Sequence, residues 1–256
     1  MINRMKFLNT EVDNLTMQEA LGQIESLVTE RKNAYVVTPN VDHIIKIEKD
    51  PFFREIYEHA DLVLTDGKPL IWIAQWLRTP IKEKVSGSDL FPKVCELAAE
   101  KEYRLFFLGA APGVADRAAQ NIRKSYPDIQ ITGTYSPKLG FETDVKEMTY
   151  IRELIQQERP DILILALGTP KQEYYIYQNR EVLGVPVSLC LGASLDFAAG
   201  NVKRAPRWMQ NCGLEWLYRL CKEPKRLFRR YLIDDIQIFR LAWKYRKKDR
   251  TYENSN

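Results

Sequence analysis

A chain of 256 residues, 45% of them hydrophobic, has enough apolar mass for a buried core and holds one large domain or two small ones, which excludes a disordered or fibrous protein. No apolar run reaches the ~18 residues needed to span a bilayer; the polar stretch MINRMKFLNTEVDN is unlike a secretory leader, and four scattered cysteines without a C-x-x-C pair point to reduced thiols in the cytosol rather than to zinc or disulfides. The net charge of +4 is uneven: residues 201–256 carry 15 Lys and Arg against 6 Asp and Glu, a net +9, whereas residues 1–200 carry 23 against 28, a net −5, so a basic tail is expected to meet an anionic partner, whether nucleic acid, membrane surface or phosphorylated substrate.

Taken in order, residues 5–12 suit a short strand or hairpin. Thr16 is placed to cap a helix over Met17–Glu30. Ala34–Val37 reads as a strand ended by Thr38-Pro39-Asn40, with Asn40 capping the next helix. Pro51 suits the first position of a further helix running to about Ala60. Leu62-Val63-Leu64 is a short buried strand, and Thr65-Asp66-Gly67 leads into a helix from Lys68 to Leu77. Ser86-Gly87-Ser88-Asp89 precedes a helix ending at Glu100. Strands follow at Tyr103–Leu108, Ile129–Thr134, Asp161–Leu167 and Val185–Leu191. Helices are expected from Gly113 to Lys124, over Val145–Gln157 and from Lys171. Strands alternating with helices predict an α/β protein with a Rossmann-like, mainly parallel sheet and helices on both faces. After about Gly200 the strand signals stop. Residues 1–200 therefore read as the body and 201–256 as a C-terminal helical appendage.

The chemistry is expected beyond the carboxyl ends of the strands, where open α/β sheets bind ligands. Asp66 sits there. Its carboxylate is placed either to accept a proton from a bound hydroxyl or to cap the helix that begins near Lys68. Turns opening at Gly109, Gly168 and Gly192 follow strands and let phosphate approach backbone N–H groups. None spells G-x-G-x-x-G, and neither a P-loop nor a G-x-S-x-G elbow occurs, which disfavours a dinucleotide cofactor, a P-loop NTPase and an α/β-hydrolase. Gln172 and Glu173 open a helix and suit either ligand contact or a solvated first turn. Asp196 is placed to hold a ribose hydroxyl or to cap a helix. The two histidines, His43 and His59, read as surface or packing residues. The absence of D-x-D argues against a carboxylate pair holding a divalent metal on a nucleotide diphosphate. In the tail, Phe228, Leu232, Ile236, Phe239 and Trp243 recur at helical spacing with basic residues largely off that stripe. Such a stripe serves either a membrane surface or packing on the body.

The segments VVTPNVDHI (36–44), ADLVLTDGKPL (60–70), KVSGSDLF (84–91), FFLGAAPGVA (106–115), ALGTPKQE (166–173), LGASLDFAAGNVKRAP (191–206) and GLEWLYRLCKEPKR (213–226) together resemble the WecG/TagA/CpsF family of bacterial glycosyltransferases. The resemblance spans nearly the whole chain. It implies inverting transfer of a hexose or N-acetylhexosamine from a UDP-sugar to a membrane lipid-diphosphate-linked sugar, in teichoic acid, capsule, common antigen or exopolysaccharide assembly. By that resemblance Asp66 is the general base, with Thr38 and Asn40 lining the same pocket. Gln172 is a donor contact, Asp196 lies near the nucleoside, and Arg219, Arg226 and Arg229 close over the diphosphate. Lys84 stands where teichoic-acid members carry arginine, keeping the charge but not the bidentate fork. The resemblance further implies a metal-independent site with no cofactor, UDP-sugar being a substrate. It places the protein peripherally on the inner face of the cell membrane, on anionic lipid, with homo-oligomerisation competing with membrane association. A non-catalytic UDP-sugar or membrane-binding module is the alternative; nucleic acid is not an expected partner.

Overall fold

The computed structural model describes residues 4–253, with the side chains of Asn211, Arg226 and residues 247–253 outside that description. An antiparallel hairpin of β1 (Arg4–Phe7) and β2 (Thr10–Asp13) opens the chain. Six parallel strands follow: β3 (Ala34–Val37), β4 (Leu62–Val63), β5 (Leu105–Gly109), β6 (Ile131–Tyr135), β7 (Ile162–Ala166) and β8 (Val187–Cys190), lying side by side as β4-β3-β8-β7-β5-β6. The expected α/β architecture is thus present.

Strand residues alternate between two cores. Ala34, Val36, Phe107, Ile164 and Leu189 point to one side, where α1 (Met17–Glu30), α5 (Gly87–Glu100), α6 (Val114–Ser125) and α9 (Ser194–Ala198) cover the sheet. Tyr35, Val37, Phe106, Leu165 and Cys190 point to the other, under the hairpin, α2 (Val41–Lys49), α3 (Pro51–Glu58), α4 (Lys68–Trp76), α7 (Val145–Glu158) and α8 (Lys171–Leu183). Burial on both faces is why these strands read as continuous apolar runs.

Local chemistry fixes the helix starts. The Thr16 hydroxyl accepts from Glu19 N–H at 3.2 Å and Glu19 returns the bond to Thr16 N–H at 2.7 Å, a capping box. Asp50 caps α3, with Pro51 at its first position. The strand at 62–64 is shorter than its sequence suggests, because Leu64 already bends away while its N–H still reaches Val37 O at 2.9 Å.

The tail departs most from expectation. Its apolar stripe is not carried by one helix: α10 (Arg207–Asn211), α11 (Glu215–Lys222) and α12 (Pro224–Arg229) are followed by a wide π turn at Arg230–Asp234 and then α13 (Gln237–Glu253). The turn shifts the helical phase. Leu227, Ile238, Leu241 and Ala242 become the buried residues, while Phe228, Leu232, Ile236, Phe239 and Trp243 are 38–70% exposed. α13 lies on α2, where Lys244 Nζ meets Glu48 at 2.6 Å and Tyr245 Oη donates to the same carboxylate at 3.1 Å. None of the described helices is long and apolar enough to cross a membrane.

Candidate active site

The turns at the carboxyl edge of the sheet are stitched together by backbone bonds. Asp66 N–H donates to Pro39 O at 2.8 Å, and Val85 N–H to Thr65 O at 2.9 Å. The Thr38 hydroxyl donates to Cys190 O at 3.3 Å. Gly87 packs so tightly on the last of these turns that a Cβ there would lie 3.1 Å from Leu191 O. Thr38, Asn40, Asp66, Lys84 and Gly192 are thereby brought together at the carboxyl edge of the sheet, where open α/β sheets form their ligand crevice. Gly109 serves the neighbouring turn, where Ala110 N–H bonds Ala166 O at 2.8 Å. Its φ of +116° and the 2.5 Å approach that a Cβ would make to Ala166 both demand glycine. Gly168, at φ +76°, opens the turn into α8 and accepts from Gln172 N–H at 3.0 Å.

Asp66 does not cap α4. Gly67 occupies that position, and no side chain caps the helix. Asp66 is instead partly open to solvent at this edge, within reach of the charges of Lys84, Glu215, His43 and Asp89. Burial pushes its pKa up to about 6, helped by the carboxylates of Glu215 and Asp89 and opposed by Lys84 and His43. A base titrating there is ionised at neutral pH yet basic enough to take a proton.

One flank of the crevice is a charge cluster. Lys84 Nζ lies 2.5 Å from Asp89 Oδ2 and Arg204 Nη1 lies 2.6 Å from Asp89 Oδ1; Arg204 also reaches Glu215 at 3.4 Å. Burial of Asp89 opposes its ionisation, but bonds from Lys84, Ser86 and Arg204 prevail and hold its carboxyl at about 2. A guanidinium from the appendage thus shares the Asp89 carboxylate with Lys84.

The other flank is a polar chain. Asn40 caps α2 and its Oδ1 accepts from Asp42 N–H at 3.1 Å; the same oxygen lies 2.7 Å from His43 Nδ1 and 3.2 Å from Arg230 Nη2. His43 Nε2 is 3.5 Å from Glu173 Oε1. Glu173 also accepts from Thr169 Oγ1 at 2.8 Å and Gln172 Nε2 at 2.9 Å, and Gln172 Oε1 accepts from Gly192 N–H at 3.2 Å. Gln172 and Glu173 are buried, so the reading of a solvated first turn fails. His43 is neither a surface nor a purely packing residue, whereas His59 is exposed as expected.

The appendage arginines divide. Arg219 stacks 5.8 Å from the Phe197 ring, which Arg204 flanks at 6.0 Å. Arg229 is exposed, and the Arg226 side chain lies outside the described residues. Arg230, beside them, is the one that reaches Asn40, and it also lies 3.5 Å from Asp42. The Nε atoms of Arg219 and Arg230 are buried without a hydrogen-bond partner. Asp196 sits in the first turn of α9 and does not cap it, that place belonging to Ala193. Sequence reasoning left Glu173 open between ligand contact and a solvated first turn, and missed His43, Asp89, Arg204 and Arg230. The asparagine-to-histidine spacing at a helix start was the available signal for His43.

Comparison with known proteins gives the family. The model of the glycosyl transferase WecG/TagA/CpsF family matches residues 5–252. The chain is 31% identical over 225 residues, 88% of its length and 84% of the relative's, to the N-acetylglucosaminyldiphosphoundecaprenol N-acetyl-β-D-mannosaminyltransferase of Bacillus spizizenii. It is 32% identical over 199 residues to the Bacillus subtilis protein of that name, covering 78% of this chain and 75% of the relative. The Staphylococcus aureus counterpart is 25% identical over 238 residues, 92% of this chain and 90% of the relative. With the motif segments in order and the turns that carry them gathered at one edge of the sheet, this chain belongs to the WecG/TagA/CpsF family of glycosyltransferases.

Proposed function

We propose that this glycosyltransferase moves an N-acetylhexosamine of the N-acetylmannosamine type, with inversion, from a UDP-sugar to a lipid-diphosphate-linked sugar at a membrane surface. The observation that carries the reading is Asp66: a carboxyl at about 6, near Lys84, at an edge of the sheet where Arg204 pairs with Asp89 and Arg230 with Asn40. Asp66 takes the proton of the acceptor hydroxyl as that oxygen attacks the anomeric carbon. UDP leaves as the bond to its β-phosphate oxygen breaks, and the cations meet the developing charge. Arg219 and Arg230, each with an uncommitted buried N–H, suit phosphate oxygens, which guanidinium binds well. Thr38 and Asn40 line the acceptor side; Gln172, Gly192 and the Gly109 and Gly168 turns serve the donor, with Asp196 toward the nucleoside. Exposed Arg229 adds to that positive charge. These cations replace a divalent metal in the reading, so none is required.

The test is UDP release from UDP-N-acetylmannosamine with a short-chain N-acetylglucosaminyl-diphospholipid acceptor. Turnover that persists in excess EDTA is expected. No release with this donor, or with UDP-N-acetylmannosaminuronate, UDP-glucose, UDP-glucuronate or UDP-N-acetylglucosamine, would overturn the reading, and full loss in EDTA would overturn its metal-free part.

Membrane docking is the second element. Trp76 stacks on Trp243 at 6.3 Å, Arg246 sits 4.1 Å above the Trp76 ring, and Phe239 and Ile236 stand exposed nearby in sequence. Exposed aromatics fringed by basic side chains suit an anionic bilayer interface. Burying one such side chain contributes about 1.5–3 kcal/mol. Trp243→Ser combined with Phe239→Ser is therefore expected to cut partitioning onto phosphatidylglycerol vesicles by more than about tenfold, as read by sedimentation. Unchanged partitioning would remove the membrane role of this face.

A further inference from the structure

We infer that Glu173 is a positioning residue: one buried carboxylate sets the orientation of Gln172 and, through His43, of Asn40, on the turns after β7 and β3, without itself touching substrate. This rests on the reading of those two side chains as substrate contacts.

Glu173 is 1% exposed, at the start of α8. A carboxylate is an acceptor only, and burying one is costly unless donors surround it. Here three donors do. Burial opposes its ionisation, but the bond to and charge of His43, with bonds from Gln172 and Thr169, keep its carboxyl below the ordinary glutamate value.

The directional consequence follows from what an amide carries. By accepting from Gln172 Nε2 at 2.9 Å, Glu173 fixes which end of that amide is which, and Oε1 is left to receive Gly192 N–H at 3.2 Å. Flipped, the amide would set NH2 against N–H and leave both without an acceptor. On the β3 side, Glu173 Oε1 faces His43 Nε2 at 3.5 Å, and the other ring nitrogen, Nδ1, accepts from Asn40 N–H at 3.3 Å and lies 2.7 Å from Asn40 Oδ1. That oxygen is the atom Arg230 reaches. The carboxylate therefore joins the turns after β3, β7 and β8 to the appendage through side chains and the Gly192 N–H.

The experiment measures UDP affinity by calorimetry on the full chain and, alongside it, kcat and KM for UDP release. Glu173→Gln keeps the shape and removes the charge. It is expected to weaken UDP binding about tenfold, the worth of one charge-assisted hydrogen bond, and to lower the melting temperature by a few degrees, because the new NH2 must face a donor that the carboxylate had accepted from. Gln172→Ala should weaken binding similarly, and the double variant should be no weaker than Gln172→Ala alone, because Glu173 acts through that amide. If Glu173→Gln does not fold, Thr169→Val, which removes one donor and buries no charge, is expected to weaken binding in the same direction by about two- to threefold. Wild-type affinity in the folded variant, or losses that multiply in the double variant, would overturn the inference while the proposed function stands. Wild-type protein that binds no UDP would instead remove the donor reading, and this inference with it.

Discussion

Asp66→Asn is expected to lower kcat for UDP release by about 10²- to 10⁴-fold, the usual contribution of a positioned general base. UDP affinity should stay within about twofold, since a uniform binding loss is not what a base supplies. The amide is isosteric and cannot take the acceptor proton. Gly67, not Asp66, occupies the N-cap of α4, so the substitution costs no helix cap and the two readouts separate cleanly. Wild-type turnover in this variant would remove Asp66 as the base. Wild-type kcat/KM should also fall with unit slope as pH drops below about 6, following the Asp66 carboxyl.

The same substitution should stabilise the fold at neutral pH. The folded carboxyl titrates at about 6 against 3.8 for the ordinary group, so the native state holds its proton more tightly than the unfolded chain. Stability from this site is then full below about pH 4, declines as pH rises through the window from about 4 to 6, and is lost above it. The shift corresponds to about 3 kcal/mol. Asp66→Asn should melt on the order of 5–10 °C above wild type at pH 7.5, and the gap should narrow steadily toward pH 4. Equal melting temperatures at pH 7.5 would mean that the carboxyl is not held in a strained ionised form. The burial that makes Asp66 basic enough to work is thus a cost that the folded chain bears.

The body was legible because its signals are local. Thr16, Asn40 and Pro51 mark helix starts by their own side chains, and both sheet faces are covered, so the strands announce themselves as apolar runs. The crevice was legible in part for the same reason: Thr38, Asn40, Asp66 and Gly192 all follow strands. What sequence could not give are partnerships across the chain. His43 sits among isoleucines and looks like packing until Glu173, 130 residues later, is seen facing it. Arg204 and Asp89 are no more informative alone. In the tail, helical periodicity was applied across a π turn that breaks the phase. That one irregularity exposes the expected stripe and brings Arg230 to Asn40.

The strand order has a consequence for biogenesis. β3 is flanked by β4 and β8, so one wall of the crevice leaves the ribosome with residues 34–66 and the other only with residues 187–194. Until the later strand arrives, β3 keeps an open, apolar edge, the kind that templates aggregation. Nascent or truncated chains ending before residue 187 would therefore lack activity, and closure of the central pair must precede the arrival of Arg204 and Arg230, which complete the site.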